Sequence, residues 1–242
     1  MSSDTSGQTT TAGTTAVTTD TDTEPDTDTG AGGPTGRSFL FVLGSSRPDG
    51  NSEILARAAA ERLPAGVPRR WVDLSRLDLP DFQDGRHETG EWPVSGSEAE
   101  LRDATLAATD IVLVTPLYWY TVSAQMKRYL DYWSGWHGIP GLRFKERMAD
   151  RTLWGVTVMA DREESRAGAL VATLDHSAAF LGMRFGGVLL GNGSKPGQVR
   201  TDERALARAA TFFQRVPRPG RFPRGELPEA EWEEYTGATE AA

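Results

Sequence analysis

The feature that most constrains this chain is an unbroken apolar run, Phe39, Leu40, Phe41, Val42 and Leu43. It stops at Gly44, crosses the short polar stretch Ser45 to Gly50, and restarts with helical spacing at Ile54, Leu55, Ala58, Ala59 and Leu63. A strand that is apolar at every position has no face for water, so it belongs in a parallel sheet covered by helices on both sides. The loop that follows therefore stands at the carboxyl end of a central strand, with a helix starting directly behind it. Ser45, Asn51 and Ser52 are small and polar, Gly44 and Gly50 let the backbone come close, and Arg47 is a fixed cation. The free N–H groups of a helix start, the positive end of its dipole and an arginine fork all favour a phosphate at such a place. No Gly-Lys-Ser/Thr closes the loop, and the glycines are not spaced as G-x-G-x-x-G. The same residues also admit a plain corner, with Asn51 or Ser52 capping the helix and Gly44 making the turn.

Downstream, the pattern repeats. Val67–Leu74 reads as a second strand near an edge, 76–97 as a long connection, and the stretch from Ser97 or Glu98 to Ala108 as a helix. Ile111–Thr115 is a second doubly buried strand, and the helix after it carries Val122, Met126, Tyr129, Leu130 and Trp133 on one face. Residues 134–150 look irregular, Thr152–Met159 is a fourth strand, a helix through Leu170, Leu174, Ala178 and Leu181 stops at Gly182, and Phe185–Leu190 is a fifth strand. Leu206, Ala210 and Phe213 mark a last helix. Strands alternating with helices give an α/β three-layer sandwich with right-handed crossovers. Ligands bind such sheets beyond the carboxyl ends of the strands.

Three loops reach that edge. The second, Pro116 to Tyr120, places three aromatics in a row, and Pro116, which donates no N–H, sets the direction of the amides of Leu117, Tyr118 and Trp119. A platform for a flat heteroaromatic ring is one reading, with Tyr118 and Trp119 in contact. Packing of these rings onto the 76–97 connection or across a dimer interface is the other.

Together, Leu43-Gly44-Ser45-Ser46-Arg47-Pro48-Asp49-Gly50-Asn51-Ser52 and Pro116-Leu117-Tyr118-Trp119-Tyr120-Thr121-Val122-Ser123-Ala124-Gln125-Met126-Lys127 resemble the two flavin loops of the NAD(P)H-dependent FMN reductases. The resemblance spans about residues 38–215. It implies a flavodoxin-like fold with a five-stranded parallel sheet of order 2-1-3-4-5 and an FMN phosphate at Ser45, Arg47, Asn51 and Ser52. It also implies an isoalloxazine held by Pro116, Leu117, Tyr118 and Trp119, and a homodimer or homotetramer. The chemistry implied is hydride transfer from NADPH or NADH through FMN to a small-molecule acceptor such as a flavin or quinone, with no obligatory catalytic side chain. A flavin-binding electron carrier without nicotinamide turnover is the alternative. The third loop departs from the family's small, glycine-rich pattern and reads Ala160, Asp161, Arg162, Glu163, Glu164.

Composition narrows the classes further. Residues 1–36 hold six acids, no base and no large hydrophobe beyond Val17, which reads as disorder, and the stretch from 217 holds six acids against three arginines, which reads as an extended acidic tail. These ends carry −9 against −8 for the whole chain, so the middle, residues 37–216, is about +1 and reads as one domain. No basic stripe suggests a nucleic acid. The chain has no cysteine, hence no disulfide, thiol nucleophile or Cys-held metal. No membrane span and no signal peptide are read, so a cytoplasmic protein is expected. His87, His137 and His176 have no evident triad partners and are expected to be structural or surface residues. The rings of Tyr129, Tyr132, Trp133 and Trp136 are expected to form an interface patch.

Overall fold

In the computed structural model, which describes residues 36–85 and 95–222, strand β1 (Phe39–Leu43) is buried at every position. Its alternation sorts those side chains between two cores. Phe39, Phe41 and Leu43 pack on one face of the sheet with Leu55, Ala56 and Ala59 of α1 (Asn51–Ala60), Ala205 and Ala209 of α6 (Glu203–Ala209), and Phe212 and Phe213 beyond it. Leu40 and Val42 pack on the other face, with residues of α2 (Gly96–Ala107), α3 (Ala124–His137), α4 (Phe144–Met148) and α5 (Gly168–Phe180). A strand of alternating partners on two helical layers is what an all-apolar run has to become.

The remaining strands are β2 (Arg69–Asp73), β3 (Asp110–Val114), β4 (Thr152–Met159), β5 (Arg184–Asn192) and β6 (Arg218–Pro219), in the order β2-β1-β3-β4-β5-β6. The first five are parallel, in the expected order 2-1-3-4-5. The expected five-stranded sheet needs correcting to six, because Arg218 and Pro219 pair antiparallel with Phe185 and Arg184. The stretch read as a tail from 217 thus begins inside the sheet. Arg218 forks onto Asp175 of α5 (2.6 and 3.0 Å), and Gly220 lies so close to α5 that a Cβ would stand 2.4 Å from the Ala179 amide nitrogen. The readings of residues 1–35, of 223–242 and of His87 fall outside the described residues.

One buried charge ties the layers together. Asp110 accepts from Arg37 (Nη2 2.6 Å, Nε 3.1 Å), from the Thr109 hydroxyl (2.8 Å) and from the Trp154 indole (2.9 Å), so all its burial is matched by donors. The ring of Trp154 in turn occupies the place of a side chain at Gly186, where a Cβ would come within 2.1 Å of it and where the β4–β5 register shifts.

The aromatic stripe of α3 is not an exposed patch. Tyr129, Tyr132, Trp133 and Trp136 are all buried, packed among themselves and against Phe144. Their polar atoms are engaged inside: the Tyr129 and Thr105 hydroxyls share a hydrogen bond, Tyr132 donates to the Pro80 carbonyl, and the Trp136 indole donates to Glu98. Burial pushes the Tyr129 phenol far above its usual value and, with the Glu98 carboxylate, that of Tyr132 up to about 12. The segment read as irregular contains the end of α3 and the short α4, which covers this stripe. His137 lies against Phe180 and His176 against Phe222, both as ring contacts within the scaffold.

Candidate active site

Loop one runs from Gly44 to Gly50. Gly44 donates to the Val114 carbonyl at 2.8 Å and its own carbonyl accepts from the Ser123 hydroxyl at 2.5 Å. A Cβ at Gly44 would sit 2.9 Å from the Met126 Cβ, so only glycine lets α3 approach this closely. The Ser45 hydroxyl accepts from the Arg47 amide at 3.1 Å, which folds the loop back on itself. A side chain at Gly50 would meet Ser45 Oγ at 3.2 Å and the Arg47 carbonyl at 3.3 Å, filling a small concavity. Ser46, Arg47, Pro48 and Asp49 are exposed, and Arg47 has no carboxylate partner among the described residues.

Helix α1 begins at Asn51 with Gly50 as its N-cap and no side-chain cap, so neither Asn51 nor Ser52 serves as the cap that one sequence reading gave them. Nor do their side chains point freely into the loop. Buried Ser52 donates to the Thr115 carbonyl and accepts from the Val158 amide, both at 3.1 Å, and so ties the end of β3 to the end of β4. Asn51 donates to the carbonyls of Gly193 (3.2 Å) and Lys195 (2.9 Å) and accepts from the Val199 amide (3.4 Å). The N–H groups of Ser45, Ser46, Gly50, Asn51 and Ser52, by contrast, meet no acceptor among the described residues. Those amides, at the positive end of a helix of ten residues, form a cradle that suits a phosphate.

Loop two leaves β3 through Thr115. Its buried hydroxyl donates to the Pro116 carbonyl (3.0 Å) and accepts from the Ser123 amide (2.9 Å). Ser123 caps α3 by accepting from the Met126 amide (3.3 Å) while donating to Gly44, and so links the two loops. Of the amides expected to face a ligand, Leu117 donates to Val158 (3.4 Å) and Tyr118 to Thr121 (3.0 Å), which leaves that of Trp119. Thr121 returns a bond to the Tyr118 carbonyl at 3.1 Å, closing a two-residue hairpin turn around Trp119 (φ 49°) and Tyr120 (φ 65°). Two positive φ values define the type I′ geometry, which Asn-Gly fills without strain. Bulky L-residues there cost about 1–2 kcal/mol each. Trp119 is 92% exposed, Tyr118 50% and Tyr120 56%. The alternative reading, in which Trp119 and Tyr120 pack onto the 76–97 connection, finds no such contact among the described residues.

Loop three, Ala160 to Glu164, is held from behind. Asn192, at the end of β5, donates to the carbonyls of Met159 (3.1 Å), Ala160 (3.0 Å) and Asp161 (2.9 Å). Glu164 pairs with Arg208 of α6 at 2.9 Å and with Arg204 at 3.5 Å, beside a polar cleft of about 360 Å³. Sequence reasoning missed Thr115, Ser123 and Asn192. Ser123 alone had a local signal, a hydroxyl directly before a helical pattern.

A parallel sheet of flavodoxin-like order, with an unpartnered amide cradle after its first strand and an exposed aromatic loop after its third, defines an α/β protein of the class that binds ligands at the carboxyl ends of its strands. Residues 38–189 match the model of the NADPH-dependent FMN reductase family, and the chain belongs to that family. YwqN of Bacillus subtilis (strain 168), named as an NAD(P)H-dependent FMN-containing oxidoreductase, is 28% identical over 176 residues, covering 72% of this chain and 95% of that protein. Among solved structures, a Trp repressor binding protein from Bacillus subtilis shares the fold at a TM-score of 0.59 with 23% identity, over 74% of this chain and 99% of that one. An NAD(P)H:quinone oxidoreductase from Methanothermobacter marburgensis does so at 0.55 with 20% identity, over 72% and 92%. The protein is thus an NAD(P)H-dependent oxidoreductase with FMN as its cofactor. No helix among the described residues is long and apolar enough to cross a membrane.

Proposed function

We propose that the cradle of loop one holds the FMN phosphate and that Pro116 to Trp119 flank the isoalloxazine, in an enzyme that passes a hydride from NADPH or NADH to a small acceptor such as a free flavin or a quinone. The unpartnered amides of Gly50, Asn51 and Ser52, beside a free Arg47, carry this reading. Asn51 and Ser52 contribute their backbone N–H groups, while their side chains hold α1 against the ends of β3, β4 and β5. Ser45 keeps the loop folded through its bond from the Arg47 amide, and the Arg47 side chain is exposed on that folded segment. When bound, FMN supplies the electron chemistry, accepting a hydride from the nicotinamide and passing it on. The protein orients and shields, and no side chain at the site is required to move a proton. The homodimer or homotetramer and the cytoplasmic setting expected from the resemblance belong to the same proposal.

The test separates phosphate from ring. One charged hydrogen bond is worth about 1.5–3 kcal/mol, so Arg47→Ala should weaken FMN roughly ten- to a hundredfold. Riboflavin has no phosphate and should bind the variant as it binds the wild type. Fluorescence titration of both flavins decides the matter, and an equal loss for the two would remove the phosphate from loop one.

A further inference from the structure

After β6 the chain climbs along α5. Gly220 lies against Ala178 and Ala179, the Arg221 amide donates to Asp175 at 2.9 Å, and the ring of Phe222 rests 5.7 Å from that of His176. Gly220 to Phe222 thus pass Ala179 to His176, the pace of an extended strand at about 3.3 Å per residue laid beside a helix that rises about 1.5 Å. Because α5 carries the chain from the end of β4 back to the start of β5, this climb leads toward the carboxyl edge of the sheet. Ahead of Phe222 lies a groove of about 1000 Å³ along the same helix, lined by His176, Asp175, Ala172, Val171 and Gly168 and bounded by Glu164 of loop three.

We propose that this groove seats the chain's own next residues, 223–227, as a strap. The strap sets the glutamates between Glu229 and Glu234 beside loop three, where they oppose the entry of the anionic nicotinamide donor. The seat stands on the fold alone, and the effect on the donor rests on the flavin reading above.

Continued at the same pace, the strap puts Arg224 beside Ala172 and Glu226 beside Gly168, so that Leu227 arrives at Glu164. Local chemistry agrees at each station. Phe222 and Leu227 each precede a proline, which holds them extended, and Pro223 has no N–H that would need a partner against a helix. Arg224, the only base beyond Phe222, comes between the carboxylates of Asp175 and Glu164. Helix α5 begins without a side-chain cap and with no acid in its first turn, and Glu226 brings a carboxylate to that positive end. A second copy of the chain is the competing occupant. The strap, however, begins inside the groove at Phe222 and is present at an effective concentration on the order of millimolar, so a copy at micromolar concentration meets a filled seat. Beyond the strap the excess of glutamate repels a dinucleotide, itself a polyanion, over a range of about 10 Å at 0.1 M salt.

The chain has no cysteine, so a designed pair is the only thiol pair in it. In the full-length protein, Ala172→Cys with Arg224→Cys should close into an intramolecular disulfide under oxidised glutathione. Mass spectrometry should find it formed at least about tenfold faster than in Ala172→Cys with Glu240→Cys. Equal rates overturn the seat, and disulfide-linked dimers alone overturn it in favour of a second copy. Trypsin gives a reading that needs no thiol. In Ala172→Gln, whose longer side chain fills the groove, cleavage after Arg224 should be about tenfold faster than in wild type, and an unchanged rate overturns the seat.

The donor effect is read on FMN-loaded protein, with FMN uptake measured first and a quinone acceptor at fixed, saturating concentration. Glu229→Gln, Glu231→Gln, Glu233→Gln and Glu234→Gln together should raise kcat/KM for NADPH about three- to tenfold at about 20 mM salt, through KM, and the difference should vanish at about 500 mM. An unchanged kcat/KM at low salt overturns the donor effect. Failure of the wild type to take up FMN overturns the flavin reading and the donor effect with it, while the disulfide still decides the seat.

Discussion

Loops one and two leave adjacent strands at the same edge of the sheet and keep their shapes by opposite means. Around loop one, polar side chains reach far along the sequence: Ser52 to Thr115 and Val158, Asn51 to Gly193 and Lys195, Ser123 back to Gly44. The tip of loop two is closed only by Tyr118 and Thr121, against the steric preference of the residues it contains. In the first region the side chains of Asn51 and Ser52 are staples, and what stays unpartnered among the described residues is backbone amides and the Arg47 side chain. In the second the backbone is mostly satisfied, and what remains for a ligand is exposed aromatic surface.

Breaking a staple should have the largest effect on stability. Ser52→Ala removes both bonds of a buried hydroxyl and leaves the Val158 amide and the Thr115 carbonyl short of a partner, so unfolding free energy should fall by about 1–3 kcal/mol. A denaturant midpoint that shifts down at constant slope is the expected reading, and an unshifted midpoint would mean that water replaces the hydroxyl at no cost.

Relaxing the turn should do the reverse. Trp119→Asn combined with Tyr120→Gly gives a type I′ turn its preferred residues and should raise stability by about 1–2 kcal/mol. A double variant less stable than wild type in thermal melts would show that the exposed rings pack on the protein, and the contrast between the loops would fail.

A third region, remote from both loops, supplies the smallest effect. Burial raises the Asp175 carboxyl, but the Arg218 fork, the Arg221 amide and the nearby His176 outweigh it and hold the carboxyl below its usual 3.8. A depressed carboxyl stabilises at pH values above 3.8, and this contribution is lost as pH falls through the lower, folded-state value. Asp175→Asn should therefore lower the melting temperature at pH 7 by no more than about 2–4 °C, the equivalent of at most about 1 kcal/mol for this partly exposed pair, and the gap should narrow progressively as pH falls below 3.8. A gap that does not narrow at all as pH falls below 3.8 would mean that lost packing rather than charge is responsible.

What the sequence revealed follows the range of the interactions. The run Phe39 to Leu43 and its counterparts at 111–115 and 152–159 announce themselves because burial on two faces demands apolar residues at every position. Gly44 and Gly50 were legible as places of close approach, and the structure supplies the neighbours, Met126 and Ser45. Asn51 and Ser52 could be seen as polar residues at a helix start. That they bond to Gly193 and Thr115, 142 and 63 positions away, could not be read locally. The stripe of Tyr129, Tyr132, Trp133 and Trp136 misled for a related reason: helical spacing shows that rings share a face, and only packing shows that α4 covers it. The two residues of β6 are too few to carry a period.

That short strand has a consequence for how copies of the chain can meet. At its amino end the outermost parallel strand, β5, does not offer a bare ladder, because Arg218 and Pro219 lie along it, the proline has no N–H to extend the sheet, and Gly220 is pressed onto α5. The opposite rim, β2, carries the adjacent arginines Arg69 and Arg70. With proline at one rim and charge at the other, growth of the sheet from molecule to molecule is discouraged on both sides. Any self-association of this protein is thereby directed to side-chain surfaces, whose fit can be specific, and away from strand-to-strand accretion, which has no natural end point.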